Sequence, residues 1–439
     1  MKRAELHREL KALLAPAVLF CFCATAGTAA EGLKLTEIAE NGSSTCRRHH
    51  NAGMHAGGRT FVCWSGPRMQ HCVKMLDHAT GRWSEMRVVH PYQSTDYHDY
   101  PVMVVRTDEH LHLFWSKHNG PLHYCRSPQP LDIAGDWTHK ELPAVRATYP
   151  APLVDAEGDI YVFYRGRGHA YQSHFDYVRS SDNGRTWTTV EDAIAAKDLG
   201  FYLMHTTHEP AHDGFPERLH LTWFLRRGDA HENVYFAYFL PGEDRFVSVN
   251  GTDLGAKISE AELDGNCLVD EVNRQGWAIL SHYRDDGRPI LIYDRPDHTV
   301  CARWTGREWE RHRTPFRHYR DIEKVGPDHF RVYCPGESRV IWLDSEDGGR
   351  GWRKAGELPL PVKHFSQCIV IDNHHPEASL LLKHDAQWTP TTYEGEDLIL
   401  VVGRRCLRAF EPPLTPVLSG RGRAGAVPGR EDRAFRQGE

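Results

Sequence analysis

Beyond its first thirty residues the chain has no apolar run near the roughly eighteen residues that a membrane helix needs. That argues against a helical membrane span in the rest of the sequence. Helical periodicity is almost absent as well, which excludes a bundle or a coiled coil. There is no CxxC pair and no dense cysteine framework. Of eleven cysteines, nine lie after residue 30, scattered singly at 46, 63, 72, 125, 267, 301, 334, 368 and 406. This spacing fits neither a zinc ribbon nor a disulfide scaffold, and the odd number leaves at least one thiol unpaired. Most read as small core residues of strands, as in Phe61-Val-Cys63-Trp64. Positive charge is not in excess either, with 53 Lys and Arg against 59 Asp and Glu, net -6. A mildly acidic protein exerts no general pull on nucleic acid or on anionic polymers. Any anionic ligand must therefore be met by local Arg, Lys and His.

What is present begins with a leader. Lys2, Arg3, Arg8 and Lys11 precede an apolar run from Leu13 to Cys23, and small residues end it at Ala24-Thr-Ala26 or Thr28-Ala-Ala30. That layout predicts a secretory signal peptide over 1–30 and an exported, secreted or periplasmic protein. Removing four Lys/Arg and two Glu with it takes the formal charge from -6 to -8. At the other end, residues 411–439 are rich in Gly, Pro and Arg and read as a disordered tail.

Between them, over 31–410, one module recurs: a short strand, a polar turn, an alternating apolar strand, a loop, a third strand, and a turn ending in Trp. The clearest copy has Pro101–Val105, the turn Thr107–His110, Leu111–Trp115 and Leu122–Arg126, ending near Trp137. The next has Pro150–Val154, Asp155–Gly158, Ile160–Tyr164, Tyr177–Arg179 and Trp187. The second strand returns as Arg59–Trp64, Leu219–Phe224, Gly276–Leu280, Phe330–Tyr333 and Ala378–Leu382, which makes seven units. A period of about fifty residues with four strands per unit predicts an all-β, seven-bladed β-propeller of four-stranded antiparallel blades. Leu398–Val402 or the segment after Leu33 would close its ring. Two packed β-sandwiches are the alternative.

Ser180-Ser-Asp-Asn-Gly-Arg-Thr-Trp187 fits the Asp-box pattern S-x-D-x-G-x-T-W, with a looser copy at Ser345–Trp352. Asp and Asn bond the turn backbone, Gly takes the positive-φ position and Trp fills the space beneath. The motif names an architecture and not a chemistry.

The 29 histidines are the compositional oddity. In an antiparallel hairpin, the residue before the first strand and the residue after the second emerge at the same end. His98 precedes Pro101–Val105, and His118 follows Leu111–Trp115. Tyr149 and Arg165 hold the equivalent positions one blade on. Two histidines, a tyrosine and an arginine are thus predicted to converge on one mouth as a catalytic set. His205, His208 and Arg226 join them from the following blade on similar grounds. Asn119 beside His118, and Arg167 in the loop after Arg165, complete the expected substrate contacts. His49-His50 and His374-His375 are loop doublets, for which capping or exposure to solvent is the plain reading. His208, Cys267 and His282 could form a structural metal site, but their spacing matches no short metal pattern.

Taken together, Thr95-Asp-Tyr-His98-Asp-Tyr-Pro101, Leu111 to Asn119, Thr148-Tyr149-Pro150 and Phe163-Tyr164-Arg165 resemble the BNR-repeat propellers that include ulvan lyases. The resemblance covers most of 45–410. It implies a polysaccharide lyase acting on a uronate-containing acidic polysaccharide, with His98, His118, Tyr149 and the carboxylate-neutralising Arg165 as its machinery. The loop Arg165-Gly-Arg-Gly-His-Ala170 departs from the Gly/Ser/Asn-rich segment of relatives. The chemistry suits β-elimination. A guanidinium forked onto the substrate carboxylate stabilises the enolate that forms, while a near-neutral His or a Tyr moves the proton. No cofactor is needed for it, and a monomer without nucleic-acid partners is expected. Three alternatives differ in kind. One is a rhamnose–glucuronate-cleaving glycosidase and another a non-catalytic glycan binder. The third is a sialidase, whose early Phe/Tyr-Arg-Ile-Pro segment this chain lacks.

Overall fold

Strand-forming runs with two-residue alternation, punctuated by Gly, Asp and Asn turns, leave the backbone one economical solution, antiparallel hairpins stacked face to face. The computed structural model describes residues 33–43, 51–91, 93–94, 96, 98–166, 174–196, 200–212, 214–227, 230–272, 279–361, 365–384 and 397–404. The leader 1–30, Arg167, His49-His50, Cys46, Cys406 and the tail 411–439 lie outside them. All described residues belong to one unit, Met1–Arg405.

Within that unit the protein is all-β with a propeller-like arrangement of sheets. Four sheets have four antiparallel strands each, every strand beside its neighbour in sequence. They are Val102–Val105 to Thr138–Glu141, Ala147–Val154 to Thr188–Ile194, Ile279–Tyr283 to Trp309–Arg313, and Asp321–Gly326 to Arg353–Pro359. A six-stranded sheet is built on Gly200–Glu209, Arg218–Arg227 and Ala230–Leu240. The largest sheet holds both ends of the described chain. In it Leu33–Gly42 pairs with Asp397–Arg404, so both candidate closing segments are used, and they are used on each other. A single parallel residue pair, Met54 with Asp372, connects its two parts. One unit of the sequence reading shifts: Ile279–Tyr283 is the first strand of its sheet, and Pro289–Asp294 is the second.

The core lies between the sheets. Trp64, Trp115 and Trp223 are fully buried on second strands, and the cysteines at 63, 72, 125, 267, 301, 334 and 368 are buried. Both Asp boxes form, although Asn183 bonds the side chains of Arg126 and Asp108 where a bond to the turn backbone was expected. Asp182 Oδ1 accepts the Thr186 N–H at 2.8 Å, Ser180 Oγ accepts that of Gly184 at 2.9 Å, and Trp187 Nε1 donates to Gly184 O at 3.2 Å. Ser345, Asp347, Gly349 and Trp352 repeat the pattern. Trp187 then sits edge-on to Phe114 and Tyr124 of the preceding sheet, so the motif works as a spacer between sheets. No helix among the described residues is long and apolar enough to cross a membrane.

Candidate active site

The segment that enters Val102–Val105 is shaped by its aspartates. Asp99 N–H donates to Asp96 O at 3.1 Å, and Asp96 Oδ1 accepts the His98 N–H at 2.9 Å, an Asx turn. Asp99 is fully buried and accepts the backbone N–H of His118 at 2.9 Å, which locks the loop after Leu111–Ser116 against this turn. The same loop is tied to the next sheet. Ala147 N–H donates to Gly120 O at 2.7 Å, and Thr148 Oγ1 accepts the Asn119 N–H at 2.9 Å.

On that next sheet the register slips between Thr148, opposite Arg165, and Ala151, opposite Phe163, so the first strand carries one residue more than its partner. The bulge contains Tyr149 at φ 59, a left-handed conformation that a bulky residue seldom adopts. Bulges of this kind re-aim a side chain, and this one brings Tyr149 against its neighbours. Its ring lies 5.6 Å from that of His98 and 5.9 Å from that of Tyr202, and the Arg165 guanidinium carbon lies 4.9 Å from its centroid. The phenol of Tyr149 reaches that of Tyr202 at 3.5 Å.

The histidines complete the cluster. Their rings stack with centroids 4.3 Å apart. Asp96 serves both: one oxygen lies 3.2 Å from His118 Nδ1, and the other bonds His98 Nδ1. On the far side of the ring, Arg165 Nη2 stands 3.0 Å from His118 Nε2. A guanidinium only donates, so His118 Nε2 must accept. The proton of neutral His118 is therefore on Nδ1, facing Asp96. Burial works against the charge of Asp96, yet the bonds from His118 and His98 outweigh it and hold the carboxyl well below the usual carboxylate range. Arg165 and Tyr149 are buried, whereas a third of the His118 and Asp96 side chains stays exposed. The cluster is thus a rigid wall with one wet edge.

Asp96, His98 and His118 offer ligand atoms within 4.8 Å of one another. A cation there would face the fixed charge of Arg165 beside His118, an arrangement that disfavours it.

The remaining candidate positions fall out differently. Asn119 is present, but its side-chain oxygen accepts from Thr148 Oγ1 at 3.3 Å. His205 and His208 are anchored to partners of their own. The strand they were expected to precede runs Gly200–Glu209 and contains both. His205 is buried, with Nδ1 taking the Ser281 N–H at 3.1 Å. His208 pairs with Glu217 at 2.6 Å, and Glu217 accepts the N–H of Ala156. Ala156 lies in the turn at the far end of the hairpin from Thr148 and Arg165. Arg226 has its backbone opposite Gly200, at the hairpin end equivalent to that of Arg165. Among the described residues, His208, Cys267 and His282 form no common ligand group.

Two contributors were missed. Asp96 was visible in its Asp-x-His spacing, which is that of an Asx turn. Tyr202 became visible only once the full length of its strand was known.

The propeller-like arrangement of sheets agrees with the family that the sequence matches. The chain belongs to the BNR repeat-containing family, which it matches over residues 59–317. Among characterised relatives it is 24% identical to an ulvan lyase of Alteromonas sp. (strain LOR), over 85% of this chain and 90% of that one. It is 22% identical to an ulvan lyase of Nonlabens ulvanivorans, over 79% and 85%. A solved ulvan lyase bound to -[GlcA(1-4)Rha3S]- shares the fold, with TM-score 0.68 and 20% identity over 84% of this chain and 96% of that one.

Proposed function

We propose that the protein is a polysaccharide lyase that cleaves a uronate-containing, ulvan-like polysaccharide by β-elimination. One observation carries the reading: the His118 imidazole is held between a carboxylate and a guanidinium, with a tyrosine stacked on the same arginine. The similarity to ulvan lyases supports it.

In this reading the uronate carboxylate takes the Arg165 guanidinium, whose charge then lies where the enolate develops. Binding frees His118 Nε2, which removes the C5 proton. The electrons of the C5–H bond form the C4–C5 double bond, and the C4–O4 bond breaks. Tyr149 donates its phenolic proton to the departing O4, and solvent returns the proton from His118 to Tyr149. Asp96 holds the His118 tautomer, and His98 packs behind it. Arg226 and Arg167 are the candidates for binding further sugar units. Asp96 is engaged by the histidines and Asp99 by the His118 backbone, so neither is a free partner for two-carboxylate hydrolysis.

The wider reading keeps seven blades, with the largest sheet counted as two, joined only at Met54 and Asp372. It also keeps an exported monomer whose signal peptide is removed near Ala24–Ala30, and a reaction that requires no metal.

Purified protein incubated with ulvan tests the reaction. Elimination produces new chain ends together with the ultraviolet absorbance of an unsaturated uronate. New reducing ends without that absorbance would mean hydrolysis, and binding with neither would mean a non-catalytic module. Either result overturns the proposal.

A further inference from the structure

A second cluster of metal-ligating side chains lies where the two ends of the described chain meet. His55 belongs to Gly53–Ala56, His78 follows His71–Asp77, and His375 and Glu377 stand at the hairpin between Phe365–His375 and Ala378–His384. His78 Nδ1 is 3.0 Å from Glu377 Oε2, a contact between residues 299 apart in sequence. The His78 ring lies 3.7 Å from that of His375, and His55 completes the group at 5.4 Å from His78 and 5.5 Å from His375. Ligand atoms of His78, His375 and Glu377 all fall within 4.8 Å of one another.

The bland alternative is a histidine–glutamate ion pair with stacked rings. That pair accounts for His78 and Glu377 alone, and leaves the His55 and His375 imidazoles gathered against it without a reason. His55 Nε2 is moreover buried without a hydrogen-bond partner among the described residues. Imidazole nitrogens gathered round one carboxylate are the donor set of zinc. Calcium and magnesium call for oxygen alone. Thr60 supplies the supporting contact. Its hydroxyl, 2.8 Å from His78 Nε2, can accept that N–H and so turn the Nδ1 lone pair toward Glu377.

We propose that His78, His375 and Glu377, with His55 as fourth ligand, form a zinc site that clamps the hairpin of Gly53–Ala56 and Arg59–Ser65 to that of Phe365–His375 and Ala378–His384. The location gives the clamp a purpose, because the backbone joins these two parts of the sheet at the single pair Met54–Asp372. The site is also remote from the Asp96–His98–His118 cluster. Thr60 and Ser65 lie five residues apart on one strand, about 16 Å, and Thr60 touches this cluster while Ser65 Oγ contacts Asp99 O.

The full chain, stripped with a chelator and reloaded with zinc, provides the test. Metal content after dialysis should be one zinc per chain higher in the wild type than in His375→Ala or Glu377→Gln. Zinc should raise the wild-type Tm by about 3 °C or more, and that rise should vanish in both variants yet persist in Asp96→Asn. Cobalt(II) in place of zinc should give the visible bands of a tetrahedral site in the wild type and in Asp96→Asn, but not in His375→Ala or Glu377→Gln. His375 is partly exposed, so its replacement should leave the fold intact, which circular dichroism verifies. The proposal is overturned if the wild type retains no zinc. It is equally overturned if both variants keep the wild-type zinc content and Tm rise, or if Asp96→Asn is the variant that loses them.

Discussion

Arg165 and His118, 47 residues apart on neighbouring sheets, meet at 3.0 Å with the guanidinium donating to Nε2. The contact fixes the imidazole tautomer and reserves its basic nitrogen for the place where an anionic ligand would take over the arginine. Arg165→Ala should therefore lower turnover on a cleaved substrate by a hundredfold or more, on the order of 3 kcal/mol. Arg165→Lys should recover little, because a point charge cannot fork onto a carboxylate. Steady-state rates of the absorbance increase measure both. Wild-type elimination by Arg165→Ala would remove the arginine from the mechanism.

Tyr149→Phe separates acid from scaffold. The change removes only the phenolic oxygen, so ring packing against His98 and Arg165 survives. If the phenol protonates O4, kcat should fall by about 10²–10⁴ with KM little changed. His98→Ala is the counterpart: a larger loss there than in Tyr149→Phe would make His98 a direct participant instead of a support. A poor leaving group on O4 should widen the Tyr149→Phe defect, and a good one should narrow it.

Asp96 is expected to act through the histidines. Asp96→Asn puts an amide where two imidazole nitrogens need an acceptor, so one ring must turn. Turnover should drop by about 10²–10⁴, in the range seen when a carboxylate orienting a histidine is lost. Folding has its own signature. The Asp96 carboxyl is held below its ordinary range, so its contribution to stability is present above that range and lost as pH falls through the lowered value. Acid unfolding of Asp96→Asn should lack this component. An unchanged rate would make Asp96 merely structural.

Much of this was legible because hairpin ends are predictable from strand ends. His98, His118, Tyr149 and Arg165 were placed together on that logic alone, and the structure brings them within contact. The logic failed one sheet later for a physical reason. His205 and His208 were placed by analogy with His98 and Tyr149, at the entry of a strand, and both lie inside Gly200–Glu209. His205 is tolerated inside the strand because Ser281 satisfies its Nδ1, and His208 because Glu217 does. Tertiary partners of that kind leave no trace in local pattern. The doublet His374-His375 misled in the same way: it closes a strand, with His374 on Glu323 and His375 over His78. The bulge at Tyr149 was invisible too, since nothing but register defines it.

Gly184 offers a test of the architecture. It sits at φ 73 in the first Asp box, and a Cβ there would come within 2.0 Å of the Tyr124 hydroxyl on the preceding sheet. Gly184→Ala should cost about 1–3 kcal/mol from strain and displacement of Tyr124. Gly251→Ala is the control, with φ 90 but open space around the added methyl, so it should cost less. Denaturant midpoints of the two variants measure the difference. Equal losses would mean that the box does not space the sheets.

Asp321 gives the pH dependence of the fold. It is buried at the start of Asp321–Gly326, and its Oδ2 accepts the Val370 N–H at 2.8 Å from the adjoining sheet. Burial pushes its carboxyl up to about 7, against the lowering effect of the N–H bonds from Val370 and Ile322. A raised pKa means that the folded state holds the proton more tightly than the unfolded chain. The contribution to stability is then full below the ordinary carboxylate range and is lost as pH rises through about 7. Stability should therefore decline between roughly pH 4 and 8 by about 2–4 kcal/mol from this one group. Asp321→Asn keeps an acceptor for Val370 without the buried charge. It should be more stable than the wild type at pH 8 and should flatten the decline. Chemical unfolding of both proteins at pH 5 and pH 8 decides the matter, and identical pH slopes would show that Asp321 does not carry it.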